Sequence, residues 1–197
     1  MNDILGYLLS YEALAVVLAL TYVILAIKQS LWCWPVAAFS ASIYVILFME
    51  SRLYMEALLQ GCYVLMAGYG LWQWKFGERG EDSLVISTKG WKWHIGFIAG
   101  IAVASVLVAY YMQTYTRADS VMLDTFTTVA SLAVQWMVAK KILENWLYWI
   151  VIDAFYVYLF ATEGFWLTAL LYSAFLVMAG YGYKQWQAQL KPSGSEA

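Results

Sequence analysis

The chain has 197 residues, of which 63% are apolar and 12% charged, and its formal net charge at pH 7 is −2. Soluble domains carry about 45–50% apolar and about 25% charged residues, so the composition excludes a water-soluble enzyme. Two cysteines exclude a secreted disulfide scaffold, and the lack of a basic stripe excludes a nucleic-acid partner. We therefore predict an all-α protein that crosses the lipid bilayer several times.

Windows of about 19 residues predict seven transmembrane helices. They are placed over 5–27, 31–48, 53–74, 93–113, 121–139, 143–160 and 165–186. The one long polar connection runs from Lys75 to Lys92. Of the 11 lysines and arginines, all but Arg52 and Arg117 fall on one side of such a bundle. Because positive residues stay in the cytoplasm, the N-terminus is predicted outside and the C-terminus inside.

An internal repeat is visible when the chain is slid along itself, without gaps, until Met66 falls on Met178. Met-Ala-Gly-Tyr-Gly then matches between Met66–Gly70 and Met178–Gly182, and Trp34 falls on Trp146. This match, called here the repeat alignment, predicts a duplicated three-helix unit, with the fourth span as a linker that gives both units the same orientation. The paired glycines favour close helix packing. Four regions are expected: a first bundle over 1–74, the loop and linker over 75–120, a second bundle over 121–186 and a tail over 187–197.

Polar groups in a hydrocarbon region are costly, and the sixth span holds one of them near its middle. Trp146, Trp149, Asp153 and Tyr156 follow one another at spacings of three and four, so they share a helix face. Two indoles, a phenol and a carboxylate on one face suit a flat, cationic ligand. The alternative is a packed aromatic seam in which Asp153 bonds a neighbouring helix.

The third span offers Glu56, Gln60 and Tyr63 on one face. Glu56 is close to the outer boundary, where it could instead reach water, whereas Gln60 is deeper and suits the polar edge of a ligand. Ligand sites in parallel-repeat transporters lie where the repeats meet, near the bilayer midplane. This places the candidate site between the two bundles.

The repeat adds further candidates from the second span. Trp34 and Tyr44 mirror Trp146 and Tyr156, and Ser40 lies beside Ala41, the position that mirrors Asp153. The loss of symmetry at Asp153 fits one asymmetric ligand bound between two similar halves.

Several kinds of chemistry have no motif in this chain. There is no Walker-type loop, no cluster of His and Cys ligands, and no serine with a placed histidine base. We therefore expect no catalysis, no metal and no cofactor. Glu12, early in the first span, is interpreted as a packing or interfacial residue.

The stretch Glu144-Asn145-Trp146-x-x-Trp149-x-x-x-Asp153, together with the duplicated unit, resembles the Pnu-type vitamin transporters. That family is built as three plus one plus three helices and is distantly similar to the SWEET sugar transporters. The resemblance implies a bacterial inner-membrane protein, a homotrimer and a cytoplasmic kinase that traps the vitamin. It also adds Asn145 to the candidate substrate-binding residues.

The branches of that family differ in substrate. The PnuC branch carries nicotinamide riboside and usually has Asn where this chain has Asp153, whereas the PnuT branch carries thiamine. A carboxylate suits a permanently charged thiazolium, so thiamine transport by facilitated diffusion is expected, with nicotinamide riboside as the alternative. A SWEET-like sugar uniporter and a non-transporting membrane subunit remain open.

Overall fold

The computed structural model describes residues 2–50, 52, 54–77, 84–115, 121–162, 164 and 166–190. These residues form seven α-helices, which confirms the predicted all-α class. Each helix begins and ends within three residues of a predicted span. The helices are α1 (Asn2–Ile27), α2 (Cys33–Glu50), α3 (Tyr54–Phe76), α4 (Trp91–Tyr115), α5 (Val121–Ala139), α6 (Asn145–Thr162) and α7 (Trp166–Ala188).

The helices pack in two groups of three. In the N-terminal half, α2 contacts both α1 and α3, and in the C-terminal half α6 contacts both α5 and α7. The halves meet where α3 packs on α5 and α1 packs on α7. Within the described residues α4 packs on α5 alone among the helices. The interface between the halves is therefore built from the first and third helix of each.

The connections between helices repeat their backbone conformation at positions that the repeat alignment pairs. Gln29 and Lys141, which follow α1 and α5, have φ values of 53° and 50°. Arg52 and Gly164, which follow α2 and α6, have φ values of 59° and 81°. Positive φ is uncommon outside glycine. Its recurrence at equivalent positions indicates that the two halves turn their chains in the same way.

The segment that joins α3 to α4 is hydrogen-bonded to the C-terminal half. The segment before α4 forms a bridge in which Ser87 donates its amide to the Lys141 carbonyl at 3.0 Å and accepts from the Leu143 amide at 2.8 Å. Beside it Ile86 is buried, and the Lys89 amide donates to Glu144 Oε1 at 3.1 Å. The α3–α4 connection is thus fastened to the α5–α6 turn.

The outer surface of the bundle is strongly apolar. Leu65, Val151 and Val177 are each at least 69% exposed although they lie well inside helices. Two helical segments, Cys33–Glu50 and Trp91–Met112, have the length and mean hydropathy (1.5 and 2.1) of a membrane span. Two further described segments, Tyr11–Ile27 and Thr125–Ala139, are shorter apolar helices. Such a surface suits lipid rather than water.

The core lies at the end of the bundle where α1 and α5 finish. Its centre is a group of four buried tryptophans, called here the tryptophan cluster: Trp34, Trp74, Trp146 and Trp186. Within each half two of these rings meet edge to face, at 5.3 Å between centroids for Trp34 and Trp74 and 5.4 Å for Trp146 and Trp186. The tryptophans that mark the repeat therefore make equivalent contacts in both halves.

Candidate functional site

A cavity of about 260 Å³ lies between the two halves. Six helices line it, every one except α4, and most of the lining side chains are apolar or aromatic. The lining residues are Ala19, Tyr22, Val23, Ala26, Ala37, Ser40, Ala41, Tyr44, Gln60, Tyr63, Gln135, Val138, Trp146, Trp149, Asp153, Tyr172, Phe175 and Ala179. An apolar cavity with a few converging polar groups is the usual form of a small-molecule site.

The wall formed by α6 carries the one acidic side chain of the described cavity lining. Asp153 is 5% exposed, and Trp146 and Trp149 line the cavity from the same helix face, as their spacing predicts. Asp153 forms no ion pair with any lysine or arginine that the structure describes. A carboxylate inside a membrane protein is costly without a partner. The cavity therefore favours a ligand that brings a positive charge to Asp153.

The facing wall, formed by α2, is small at the equivalent positions. Ala37 and Ala41 lie in the cavity lining, and the repeat alignment pairs them with Trp149 and Asp153. The large and charged side chains of α6 thus have alanines as counterparts on α2. This difference leaves space on one side of the cavity and makes the site asymmetric.

Two further α2 residues line the cavity at different depths. Ser40 is buried, and its hydroxyl donates to the Ala15 carbonyl at 2.9 Å, which ties α2 to α1. Tyr44 stacks on Phe48 at 5.6 Å between ring centroids. Ser40 is already engaged within the protein, whereas the phenol of Tyr44 belongs to the aromatic lining.

A hydrogen-bonded pair crosses the cavity between the halves. The Gln135 side-chain amide donates to the Tyr22 hydroxyl at 2.8 Å, and both side chains line the cavity. Gln135 is 6% exposed. An amide has two N–H donors and a carbonyl acceptor. After its bond to Tyr22, this amide still has a donor for a polar ligand.

The walls formed by α3 and α7 are equivalent under the repeat. Gln60 and Tyr63 of α3 line the cavity, and their counterparts in the repeat alignment, Tyr172 and Phe175 of α7, line it as well. These four side chains make one end of the cavity aromatic, with an amide among the rings.

Four predicted site residues are not among the described lining residues. Trp34 is 1% exposed, packs edge to face on Trp74 and lies 6.3 Å, between ring centroids, from Tyr22. Of these three rings only that of Tyr22 lines the cavity. Tyr156 packs on Tyr172 at 4.7 Å between ring centroids, behind the lining. The side chain of Glu56 lies outside the described residues.

The fourth is Asn145, which begins α6 and is fully buried. Its Nδ2 donates to the Ile142 carbonyl at 2.6 Å and so closes the turn after α5. Its Oδ1 is buried without a hydrogen-bond partner among the described residues, so the side chain does not cap α6 in the way that Asn usually does. The geometry gives Asn145 a structural position below the cavity rather than a place in its lining.

The sequence-based candidate list omits four large lining residues: Tyr22, Gln135, Tyr172 and Phe175. Two of them could have been identified from the repeat alignment, which pairs Tyr172 with Gln60 and Phe175 with Tyr63. Gln135 could be found as an amide in the middle of an apolar span. Tyr22 carries no signal that separates it from the other tyrosines of the chain.

Metal chemistry has no candidate group here. Across the part of the chain that the structure describes, no three His, Cys, Asp or Glu side chains are grouped so as to hold a metal ion. The chemistry of the cavity is instead that of recognition, by one carboxylate, two amides and several rings. A seven-helix bundle with an apolar outer surface and such a cavity is typical of a membrane carrier for a small solute.

Residues 9–188 match the sequence profile of the family described as the nicotinamide mononucleotide transporter family, and the chain belongs to that family. The riboflavin/roseoflavin transporter RibM of Streptomyces davaonensis is 25% identical over 173 residues, which cover 86% of this chain and 81% of RibM. The nicotinamide riboside transporter PnuC of Escherichia coli is 23% identical over 218 residues, covering 98% of this chain and 91% of PnuC.

A solved structure has the same fold. The crystal structure of the vitamin B3 transporter PnuC matches with a TM-score of 0.76 at 21% identity, covering 93% of this chain and 83% of that chain. The predicted resemblance to the Pnu-type family is therefore confirmed. The relatives are transporters, in agreement with the exclusion of an enzyme.

Proposed function

We propose that this chain is a vitamin transporter of the bacterial inner membrane and that nicotinamide riboside is its substrate. The observation that carries the proposal of a cationic substrate is Asp153, which is 5% exposed and lines a mostly apolar cavity. Because the PnuC branch usually has Asn at this position, the choice of nicotinamide riboside among cationic vitamins rests on the relatives and not on Asp153. The pyridinium ring of nicotinamide riboside supplies the missing positive charge. Its flat ring also suits the adjacent indole of Trp149 through stacking and cation–π attraction.

The choice among vitamins rests on the relatives and on the polar groups of the cavity. Thiamine is also a cation, so Asp153 alone does not separate the two vitamins, and the expectation of thiamine finds no support among the relatives described above. PnuC is named for nicotinamide riboside and RibM for riboflavin. The primary carboxamide of nicotinamide riboside fits the amides of Gln60 and Gln135, both of which line the cavity.

A neutral sugar fits this cavity less well than a cation. It would leave Asp153 without a counter-charge in a membrane interior, where an unpaired carboxylate is costly. The asymmetry between Ala37 and Ala41 on α2 and Trp149 and Asp153 on α6 likewise supports a ligand with one charged, aromatic side. A non-transporting subunit would give no reason for that asymmetry.

We further propose a parallel repeat of three plus one plus three helices that moves the ligand by rocking one half against the other. The equivalent positive-φ turns and the equivalent edge-to-face tryptophan pairs support the repeat. The distribution of lysines and arginines supports an outer N-terminus and a cytoplasmic C-terminus. The homotrimer and the trapping kinase stay predictions from the family.

The test is calorimetry on purified protein in detergent or nanodiscs, titrated with nicotinamide riboside, thiamine, riboflavin and glucose. We expect nicotinamide riboside to bind most tightly and glucose not to bind. Reduced nicotinamide riboside, whose ring is uncharged, isolates the contribution of charge and is expected to bind more weakly. Tighter binding of thiamine or riboflavin would contradict the proposed substrate but not the assignment of the cavity as the binding site. Binding of glucose alone would contradict the proposal of a vitamin transporter.

A further inference from the structure

Two indole N–H groups link the halves at one end of the cavity. Trp74 of α3 donates to the Val138 carbonyl at 3.1 Å, and Trp186 of α7 donates to the carbonyls of Ala26 and Ile27 at 3.2 Å each. The repeat alignment pairs Trp74 with Trp186 and Ala26 with Val138. Each half therefore gives one donor to, and takes one from, the other half.

The acceptors lie in the last turns of α1 and α5. The carbonyls of Ala26 and Val138 also accept the backbone amides of Gln29 and Lys141, at 3.0 Å each, so each indole N–H uses the second lone pair of its acceptor. The donors are buried: Trp74 is 5% exposed and Trp186 is 0% exposed. If the halves separate here, both indole N–H groups exchange their protein partners for water, at a net cost of about 0.5–1.5 kcal/mol for each bond, or about twofold to tenfold in the opening equilibrium. These two bonds thus oppose separation at this end.

The bonds lie just beyond the floor of the cavity. Ala26, Val138 and Ala179 line the cavity at the level where α1 and α5 end. Trp186 lies about two helical turns beyond Ala179, which is about 10 Å further along α7. The rings of Trp74 and Trp186 lie 6.2 Å apart, across the interface between the halves. The two rings therefore lie beyond the cavity floor, at the junction between the halves.

We propose that Trp74 and Trp186 form the gate of the transport path on the side of the α1–α2 and α5–α6 turns, and that the gate opens when both indole–carbonyl bonds break. This assignment rests on the proposed transport function. Lys141 reinforces the closed gate, because its Nζ lies 4.7 Å from the centroid of the Trp74 ring. By the lysine and arginine distribution this gate faces the cytoplasm.

Cys33 offers a built-in reporter of gate opening. It is 0% exposed, belongs to the same buried cluster as Trp74 and Trp186, and becomes the one remaining thiol once Cys62 is replaced by Ala. In that background, Trp74→Phe and Trp186→Phe remove one donor each and keep an aromatic ring. We expect a membrane-impermeant maleimide on the cytoplasmic side to label Cys33 about twofold to tenfold faster in each variant, the factor expected from one hydrogen bond.

The matched control is Trp72→Phe, which removes an exposed indole from the same helix and is expected to leave the labelling rate unchanged. A second reporter measures access to the opposite end of the cavity. It is a single cysteine at position 44, made by Tyr44→Cys in a protein that also carries Cys33→Ala and Cys62→Ala. Rocking predicts that labelling of this cysteine from outside slows when Trp74 and Trp186 are both Phe. Faster labelling of both reporters would mean general loosening of the fold and would overturn the gate, as would an unchanged Cys33 rate in the double variant.

If the phenylalanine variants do not fold, 3-benzothienylalanine at positions 74 and 186 keeps the ring shape and lacks the N–H donor. The same increase in Cys33 labelling is expected, and its absence would overturn the proposal. Labelling needs no vitamin, so a failure of nicotinamide riboside to bind leaves this result interpretable. The two proposals can therefore fail separately.

Discussion

Both polar atoms of the Gln135 amide contact the hydroxyl of Tyr22: Nε2 donates to it at 2.8 Å and Oε1 accepts from it at 3.1 Å, which joins α5 to α1 inside the cavity. These contacts fix the plane of the amide and leave its second donor available to a ligand. A pre-oriented amide loses less freedom on binding than a mobile one. Gln135 is thus positioned to recognise a carboxamide, whereas Tyr22 acts chiefly by holding it.

Gln135→Leu is therefore expected to weaken nicotinamide riboside binding by about 1–3 kcal/mol, because the ligand's carboxamide would be buried without a partner. Tyr22→Phe should cost less, about 0.5–1.5 kcal/mol, since the amide remains. Calorimetry on purified protein measures both. Gln185→Leu, which changes a glutamine outside the cavity lining, is the control and should bind as the unmodified protein does. Equal losses from Gln135→Leu and Tyr22→Phe would show that the pair acts only by joining the helices.

Asp153→Asn keeps the size of the side chain and removes its charge. If the carboxylate meets the pyridinium ring, affinity for nicotinamide riboside should fall by about 1–3 kcal/mol, the range for a bond to a charged group. Binding of the uncharged, reduced ligand should change little in the same variant. A folded Asp153→Asn protein with unchanged affinity for the cation would remove Asp153 from the site.

The two tryptophans of α6 should respond differently to truncation. Trp149 is half-buried in the lining, so Trp149→Ala should weaken nicotinamide riboside binding by about 0.5–2 kcal/mol through lost cation–π contact. Trp149→Phe should retain part of the lost affinity because it keeps an aromatic ring. Trp146 is 3% exposed and packs on Trp186, so Trp146→Ala should lower stability by about 3–5 kcal/mol as well as binding. Thermal unfolding and calorimetry on the same samples separate the two effects. Equal binding losses for Phe and Ala at position 149 would contradict stacking.

The paired glycines of the repeat divide into two kinds. A Cβ added to Gly70 would overlap the ring of Trp34, and one added to Gly182 would come within 2.8 Å of the ring of Trp146. A Cβ on Gly68 or Gly180 would meet no atom within 4 Å. Only the second glycine of each Gly-x-Gly is therefore required by close packing within the chain.

Gly70→Ala and Gly182→Ala should each destabilise the protein by about 1–3 kcal/mol, the usual cost of overpacking. Gly68→Ala and Gly180→Ala are the matched controls and should be neutral or stabilising by up to about 1 kcal/mol, since Ala favours helix. Thermal unfolding in one detergent compares all four. A similar loss at Gly68 and Gly180 would mean that helix approach in the membrane involves surfaces other than the tryptophan rings.

Much of this arrangement follows from the sequence, because helical period and the repeat alignment are both geometric rules. The spacing of Trp146, Trp149 and Asp153 fixes a common helix face, and the structure brings all three to the cavity. The helix bounds follow from runs of apolar residues. The alignment also relates the turns at Gln29 and Lys141, although nothing in the sequence announces their positive φ.

The rest of the cavity lining depends on contacts between helices that cannot be predicted from the sequence pattern. Trp34 and Trp146 are equivalent in the repeat, yet only Trp146 lines the cavity. The halves also differ at the paired positions 22 and 134: Tyr22 lines the cavity and its ring lies 6.3 Å from that of Trp34, whereas Val134 is fully buried outside the described lining. Helical periodicity carries no information about such differences in side-chain size.

The last prediction concerns the energy source of transport. Facilitated diffusion requires no ion site, whereas a coupled symporter needs carboxylates or broken-helix carbonyls beside the substrate. Asp153 is the one acid in the described cavity lining, and it is assigned to the substrate. Glu12 is exposed and lies outside that lining, so we expect no separate ion site beside the substrate. In liposomes that contain only this protein, nicotinamide riboside should move down its own gradient in either direction until both sides are equal.

Imposing a proton or sodium gradient should change the final distribution of the vitamin no more than in protein-free liposomes. An imposed electrical potential is a separate case, because the substrate is a cation and its distribution follows the potential by about 2.3 kcal/mol per 100 mV for each charge. The potential is therefore clamped with potassium and valinomycin while the ion gradients are varied. Accumulation above the outside concentration at zero potential would contradict facilitated diffusion, and Glu12→Gln would then show whether that acid carries the coupled proton.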